Sequence, residues 1–272
     1  MSQDISVIHA ELLVLLKRLH RFCVKNKINY SLHGGTLLGA VREKGFIEWD
    51  DDADITMDRR NFNRFCRLIK KARLPEDMAF AADSRYPKLV MMRKGKPCVW
   101  ADIFVYDFIS QRPYAQKLKL MGTSFFILLT RTKEEQKMSN LHGLYKGYKK
   151  LIMNAAVYAS QIIPFNARLS LAKWFMTRLP GNRTLVHRSN DTRVGMSLIL
   201  PASINDEYML ADFEQEQLMI IKDYDTLLRS SYGDDYMTPR KDKPDEMHQL
   251  TLKKEQQELA EYILSKKDNG NE

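Results

Sequence analysis

Apolar residues at Ile5, Ile8, Leu12, Leu15, Leu16, Leu19, Phe22 and Cys23 recur at helical spacing, with Lys17, Arg18 and Arg21 on the opposite side. That pattern predicts an amphipathic helix over 5–25, packed beneath a sheet. A short strand is predicted at 28–33, followed by Gly34-Gly35 and a helix from Leu37 to about Glu43, with Thr36 as its N-cap. From Asp52 to Met57 the chain alternates and turns partly β-branched, which predicts the start of a second strand. Arg59 to Ile69 reads as a helix with Phe62, Phe65, Cys66 and Ile69 on its apolar face. Two further strands are expected, Tyr86 to Met92 and Val99 to Asp107. Helical patches follow at 117–131, 145–161 and 167–178, closed by a Pro180-Gly181-Asn182 turn. Strand-like patterns return at 197–201 and 213–221. Tyr224 onward predicts a helix stopped near Gly233, then a charged helical tail over 250–267 and a disordered end at 268–272.

The densest chemistry lies between these first elements. Asp50, Asp51, Asp52 and Asp54 fall in one short run just downstream of Gly34-Gly35. Residues two apart on a strand face the same side, so Asp52 and Asp54 present their carboxylates together. Such a pair repels unless a cation lies between. Hard divalent ions bind through one or two carboxylates plus substrate phosphates. The glycine turn opening a helix offers backbone amides to phosphate. Asp102 sits inside an apolar, β-rich run, where a lone acid is costly unless paired or bound to metal. Asp107 near the strand end reads as a loop-orienting or capping acid.

Two other readings of the cluster fit its residues less well. Asp50, Asp52 and Asp54 match the first three ligand positions of a calcium loop, but Ile55 and Asn61 stand where that loop needs Gly and Glu. A solvated acidic turn is the bland reading, and the upstream glycines and downstream Asp102 argue against it.

Gly-Gly-Thr-Leu-Leu-Gly-Ala-Val-Arg from Gly34, then Lys-Gly-Phe-Ile and Trp-Asp-Asp-Asp-Ala-Asp-Ile from Trp49, resemble the LicD family of phosphotransferases. A second stretch, Tyr224-Asp225 through Tyr232-Gly233-Asp234-Asp235-Tyr236-Met237 to Pro239 with His248 beyond, resembles the family's end. One departure is Glu48, where the family usually has Pro before the Trp. The resemblance covers about 30–110 and 213–248 and is weak between. It implies an α/β fold: a nucleotidyltransferase-like mixed sheet flanked by helices. It also implies Asp52, Asp54 and Asp102 as the catalytic carboxylates, binding Mg2+ or Mn2+ with Asp50 as a further ligand or neighbour. Gly34, Gly35 and Thr36 would hold phosphate oxygens, Arg42 and Arg59 would offset charge, and Tyr232 and His248 would close over the site.

Charge adds the remaining piece. The chain of 272 residues carries a net charge of +9, and its 44% apolar residues suffice for a sizeable core. Residues 111–190 hold 14 Lys/Arg against Glu134 and Glu135, so this segment is +12 and the rest −3. The expected organisation is a catalytic core at 1–110, a basic helical insertion at 111–190, the catalytic domain's remainder at 191–250 and a tail at 251–272. Cys23, Cys66 and Cys98 show no ligand spacing and suggest a reducing compartment. The start lacks a signal-peptide pattern, and no apolar run is long enough to span a bilayer, so a cytoplasmic location is expected.

The resemblance therefore implies transfer of a phospho-alcohol from a CDP-alcohol, CDP-choline first among them, to a hydroxyl of a cell-surface glycan or its lipid-linked precursor, releasing CMP. The alternative on the same fold is NMP transfer from an NTP to a small hydroxyl compound. A different class is a basic binding module. Nucleic acid is not expected as its partner, because no RNA-binding motif accompanies the Lys, Arg and aromatics, and peripheral contact with an anionic membrane suits them better.

Overall fold

The computed structural model describes residues 5–72, 74–82, 84–133, 135–137, 146–239, 259, 260 and 263. These residues form two compact units. The first comprises the described residues of 1–82, 86–106 and 203–272, and the second those of 83–85 and 107–202.

The first unit opens with α1 (Ile5–Lys25), which buries Leu12, Leu15, Leu16, Leu19 and Cys23, the apolar stripe read from the sequence. Then come β1 (Ser31–Leu32), α2 (Gly34–Arg42), β2 (Ala53–Asp58), α3 (Arg59–Lys71), β3 (Met78–Ala81), β4 (Lys88–Arg93) and β5 (Lys96–Ile109), whose last three residues belong to the second unit. Strand order is β1-β2-β5-β4-β3. β2 and β5 run parallel, whereas β1–β2, β5–β4 and β4–β3 are antiparallel. This is a mixed sheet with helices against it, consistent with the expected nucleotidyltransferase-like fold.

Short, interlocking contacts hold the helices to this sheet. Phe65 on α3 makes edge contacts with Phe22 of α1 and Phe80 of β3. Asp58 caps α3 by accepting from the Asn61 amide at 2.7 Å. Trp100, Val90 and Met92 form a cluster with Leu259 and Ile263, so the described part of the tail buries an i,i+4 apolar pair. β3 was not anticipated. Its burial pattern, three half-buried residues and one buried, lacks the alternation that a sequence reading needs.

In the second unit lie α4 (Pro113–Leu129), α5 (Gly147–Ser160), α6 (Phe165–Met176), β6 (Leu185–Arg188), α7 (Arg193–Ser197) and β7 (Ile199–Pro201), with β6 and β7 antiparallel. α4 and α6 touch closely at Gly122, where an added Cβ would lie 2.3 Å from the Phe175 ring. Part of the lobe's positive charge faces inward. Lys119 is fully buried and donates to the Phe108 carbonyl at 2.6 Å, and buried Arg168 donates to the Leu129 carbonyl at 2.6 Å. Asp107 is buried as well and accepts from the Ser189 hydroxyl.

The chain ends its described course in the first unit with a 3-10 turn (Ala202–Asn205), a hairpin of β8 (Tyr208–Phe213) and β9 (Glu216–Ile221), and α8 (Tyr224–Tyr232). The Ser31 hydroxyl accepts from the Ile221 amide at 2.9 Å, tying the hairpin to the sheet's edge beside the glycine turn. Gly233 stops α8 at φ +93°, a conformation that glycine adopts without steric cost. Among the described residues no helix is long and apolar enough to cross a membrane.

Candidate active site

β1 delivers the chain to its turn in register with β2, Ser31 opposite Thr56 and Leu32 opposite Ile55. The His33 amide donates to the Asp54 carbonyl at 2.9 Å. Gly34, at φ +56°, then swings the backbone directly into α2. The helix therefore starts at Gly34 with His33 as its N-cap, and the expected cap at Thr36 is corrected. Thr36 sits inside the first turn, fully buried, and its hydroxyl oxygen accepts from the Asp54 amide at 3.0 Å. It works as a clip between α2 and β2. The left-handed glycine makes this early start feasible, because it removes the connector that a later cap would serve.

The same glycines set the carboxylates. A Cβ on Gly34 would stand 2.7 Å from Asp54 Oδ2, and one on Gly35 would stand 2.4 Å from Asp50 Oδ2. Two acids thus rest directly on the backbone at a helix N-terminus. Asp50 is held from the other side by His9 of α1, whose Nε2–H donates to the Asp50 carbonyl at 2.7 Å while its ring stacks on Phe46 at 4.5 Å.

Across the sheet the site continues as a row. Asp54 on β2 is level with Asp102 on β5, and Asp102 is level with Lys88 on β4. Residues paired in this way share a face. The Lys88 ammonium donates to both Asp102 oxygens, at 2.6 and 2.8 Å, and lies 5.1 Å from the centre of the Trp100 ring.

The electrostatics follow from crowding. Burial, then the charges of Asp52 and Asp51 and a hydrogen bond with Asp52, push the Asp50 carboxyl up to about 8. Burial, then the charges of Asp52, Asp102 and Asp50, hold Asp54 well above the ordinary carboxylate range, with Lys88 partly opposing the shift. Together these groups lack positive charge. The donor set fits a hard divalent cation: anionic oxygens only, with Asp50 Oδ2 buried and without a hydrogen-bond partner. Among the described residues no three His, Cys, Asp or Glu side chains already converge as a ligand set, and the Asp102 oxygens are turned to Lys88.

The remaining expected site residues are more scattered. Arg42, at the end of α2, donates to Glu43 at 2.7 Å and to the Tyr236 carbonyl at 3.4 Å. Tyr236 in turn donates its hydroxyl to Asp225 at 2.7 Å, so this part of the C-terminal motif is pinned to the end of the glycine-turn helix. Arg59 opens α3 with its guanidinium over Phe62 at 5.4 Å. Tyr232 is the last residue of α8 and half-buried. His248 lies outside the described residues. Lys88 and His9 were missed from sequence. Neither carries a local signal, because their partners lie 14 and 41 residues away. A hollow of about 640 Å3 lined by His20, Lys44, Asp212 and Glu214, among others, contains none of the acidic row.

Residues 27–139 match the family model described as LicD/FKTN/FKRP, nucleotidyltransferase domain. This stretch is LicD-like. It holds the glycine turn and the whole acidic row with Lys88, and it leaves the C-terminal motif outside the match. The lipopolysaccharide cholinephosphotransferase LicD of Haemophilus influenzae is 35% identical over 114 residues, covering 36% of this chain and 43% of that protein. An uncharacterised protein of Rickettsia typhi is 34% identical over 92 residues, 34% of this chain and 27% of its own length. One from Rickettsia prowazekii is 54% identical over 41 residues, 15% of each chain. The matches thus span less than half the length of these relatives.

Proposed function

We propose that this LicD-like chain transfers a phospho-alcohol, phosphocholine from CDP-choline first, to a hydroxyl of a cell-surface glycan or its lipid-linked precursor, releasing CMP. The observation that carries the reading is the seating of Asp50 and Asp54 on the Gly34-Gly35 backbone, with Asp54 level with Asp102. The Haemophilus relative's name supports the choice of phosphocholine.

Asp52 and Asp54 would hold Mg2+ or Mn2+, with Asp50 alongside. A bound ion would supply charge neutralisation for the diphosphate. Gly34 and Gly35 approach the phosphate oxygens with no side chain in the way, and the amides opening α2 favour negative charge. The acceptor oxygen bonds to the phosphorus that carries the alcohol, the bond from that phosphorus to the bridging oxygen breaks, and CMP leaves with the electron pair. The hydroxyl's proton passes to a carboxylate of the row, which the sequence reading assigns to Asp102.

Incubation of the purified chain with Mg2+ and a panel of CDP-alcohols and NTPs tests this reading. CMP release from CDP-choline or another CDP-alcohol is the expected result. Pyrophosphate release from an NTP with no response to any CDP compound would replace it with nucleotidyl transfer on the same scaffold.

A second observation concerns the helical lobe. Tyr114, Leu118, Met121 and Phe125 recur along one side of α4, and all four are exposed. Trp174 on α6, half-exposed, carries the Arg178 guanidinium 4.5 Å from its ring centre. Aromatic and aliphatic side chains among Lys and Arg favour a peripheral resting place on an anionic bilayer, where a lipid-linked acceptor would be found.

A further inference from the structure

We propose that Lys88 is the second cation of this site, so that the chain loads one divalent ion where related chemistry uses two. The inference rests on the metal-assisted reading above and goes beyond it. Two-metal phosphoryl-transfer sites place their ions about 3.5–4 Å apart, one for the attacking and one for the leaving oxygen. Here the carboxylates differ in their partners. Asp50 and Asp54 rest on the glycine turn. Asp102 stands one strand over and gives both its oxygens to an ammonium.

The geometry of that ammonium differs from an ordinary surface pair. Lys222–Glu207 leaves its side chains 63% and 66% exposed, whereas Lys88–Asp102 leaves only 12% and 16%. Lys88 is also fixed from three directions: its strand pairs with β5 at Asp102 itself, its ammonium is chelated by both oxygens, and the Trp100 ring lies beneath it. A lysine ammonium is a compact, strongly hydrated point charge, close in kind to a metal ion and suited to phosphate. Its position on the row beside Asp54 and Asp102 puts it where a diphosphate oxygen needs a counter-charge. Because Asp102 is spent on Lys88, the divalent ion is left to Asp50, Asp52 and Asp54.

Manganese titration of the purified full chain, with free Mn2+ read by electron paramagnetic resonance, counts the ions directly. The wild type should bind one Mn2+. Lys88→Met, equal in length and uncharged, should bind two, because Asp102 is then released as a ligand. Lys88→Arg should keep one. Asp102→Asn should leave affinity for the single ion within about threefold, whereas Asp54→Asn should weaken it by at least about 100-fold. Two ions in the wild type, a folded Lys88→Met that still binds one, or loss of the ion in Asp102→Asn would each overturn the assignment. If Lys88→Met does not fold, Lys88→Gln takes its place in the count, and the wild-type and Asp102→Asn results stand by themselves. No Mn2+ bound by the wild type would overturn the metal-assisted reading and this inference together, an outcome distinct from the two-ion result.

Discussion

Lys88 and Asp102 stand opposite each other on antiparallel neighbours β4 and β5, with the ammonium bonded to both carboxylate oxygens at 2.6 and 2.8 Å. On its other side Asp102 is level with Asp54 of β2. One positive and two negative groups thus cross three strands in a line, beside a glycine turn that carries two acids. The behaviour of the site follows from this arrangement.

The glycine turn admits no side chain. In Gly35→Ala the new Cβ would meet Asp50 Oδ2 at 2.4 Å, and in Gly34→Ala it would meet Asp54 Oδ2 at 2.7 Å in a backbone with φ +56°. A displacement near 1 Å at a reacting centre costs on the order of 100-fold in rate. Both variants should fold and lose about that much CMP release, Gly34→Ala the more because a left-handed alanine costs about 1–2 kcal/mol in addition. Steady-state assays beside thermal melts check this.

Asp54→Asn should separate function from stability. Removing a carboxylate from the ion's ligand set should lower turnover on the order of 1000-fold, about 4 kcal/mol of barrier. The same change relieves crowding with Asp52, Asp102 and Asp50. The metal-free variant should therefore melt higher than the wild type at neutral pH, by roughly 2–4 °C if the relief is about 1 kcal/mol. Calorimetry with EDTA present reads the second effect, and an unchanged or lower melting temperature would contradict it.

The pH dependence has a definite sign. Asp50 is raised to about 8 and Asp54 is raised as well, so between pH 4 and 8 the folded chain holds more protons than the unfolded one. Stability of the metal-free protein should then fall as pH rises through that window. Saturating Mg2+ should flatten the fall, since the ion replaces the protons. His187 works in the opposite sense at the acid end: burial first, then Lys119, lowers it to about 4, and its share of stability is lost as pH drops below about 6.5. Melting curves from pH 4 to 9, with and without Mg2+, test both signs.

Liposome flotation tests the lobe. Binding should require anionic lipid and decline with salt, as a Debye length of about 8 Å at physiological ionic strength dictates. Lys146, Lys149 and Lys150 are exposed, and changing them together to Glu should weaken flotation, since each Lys near an anionic leaflet is worth about 1 kcal/mol. Met121→Asp on the exposed stripe of α4 should do the same without altering CMP release from a soluble acceptor. Equal flotation on neutral and anionic vesicles would remove the membrane role.

By itself the sequence determined what is local. α1 runs over the predicted 5–25 because its apolar period is that of a helix, and the glycine turn, the acidic run and Asp102 could be singled out because each is unusual within its own few residues. Tertiary structure decided the rest. No local rule says that Lys88 falls level with Asp102, since strand register is set by the whole sheet and a one-residue slip would turn either side chain to the opposite face. Nor does composition show that Lys119 and Arg168 are spent inside the lobe, or that Thr36 serves the Asp54 amide rather than capping a helix. Which charges meet, and so which of them are left for a ligand, depends on contacts across long sequence separations that only the folded chain makes.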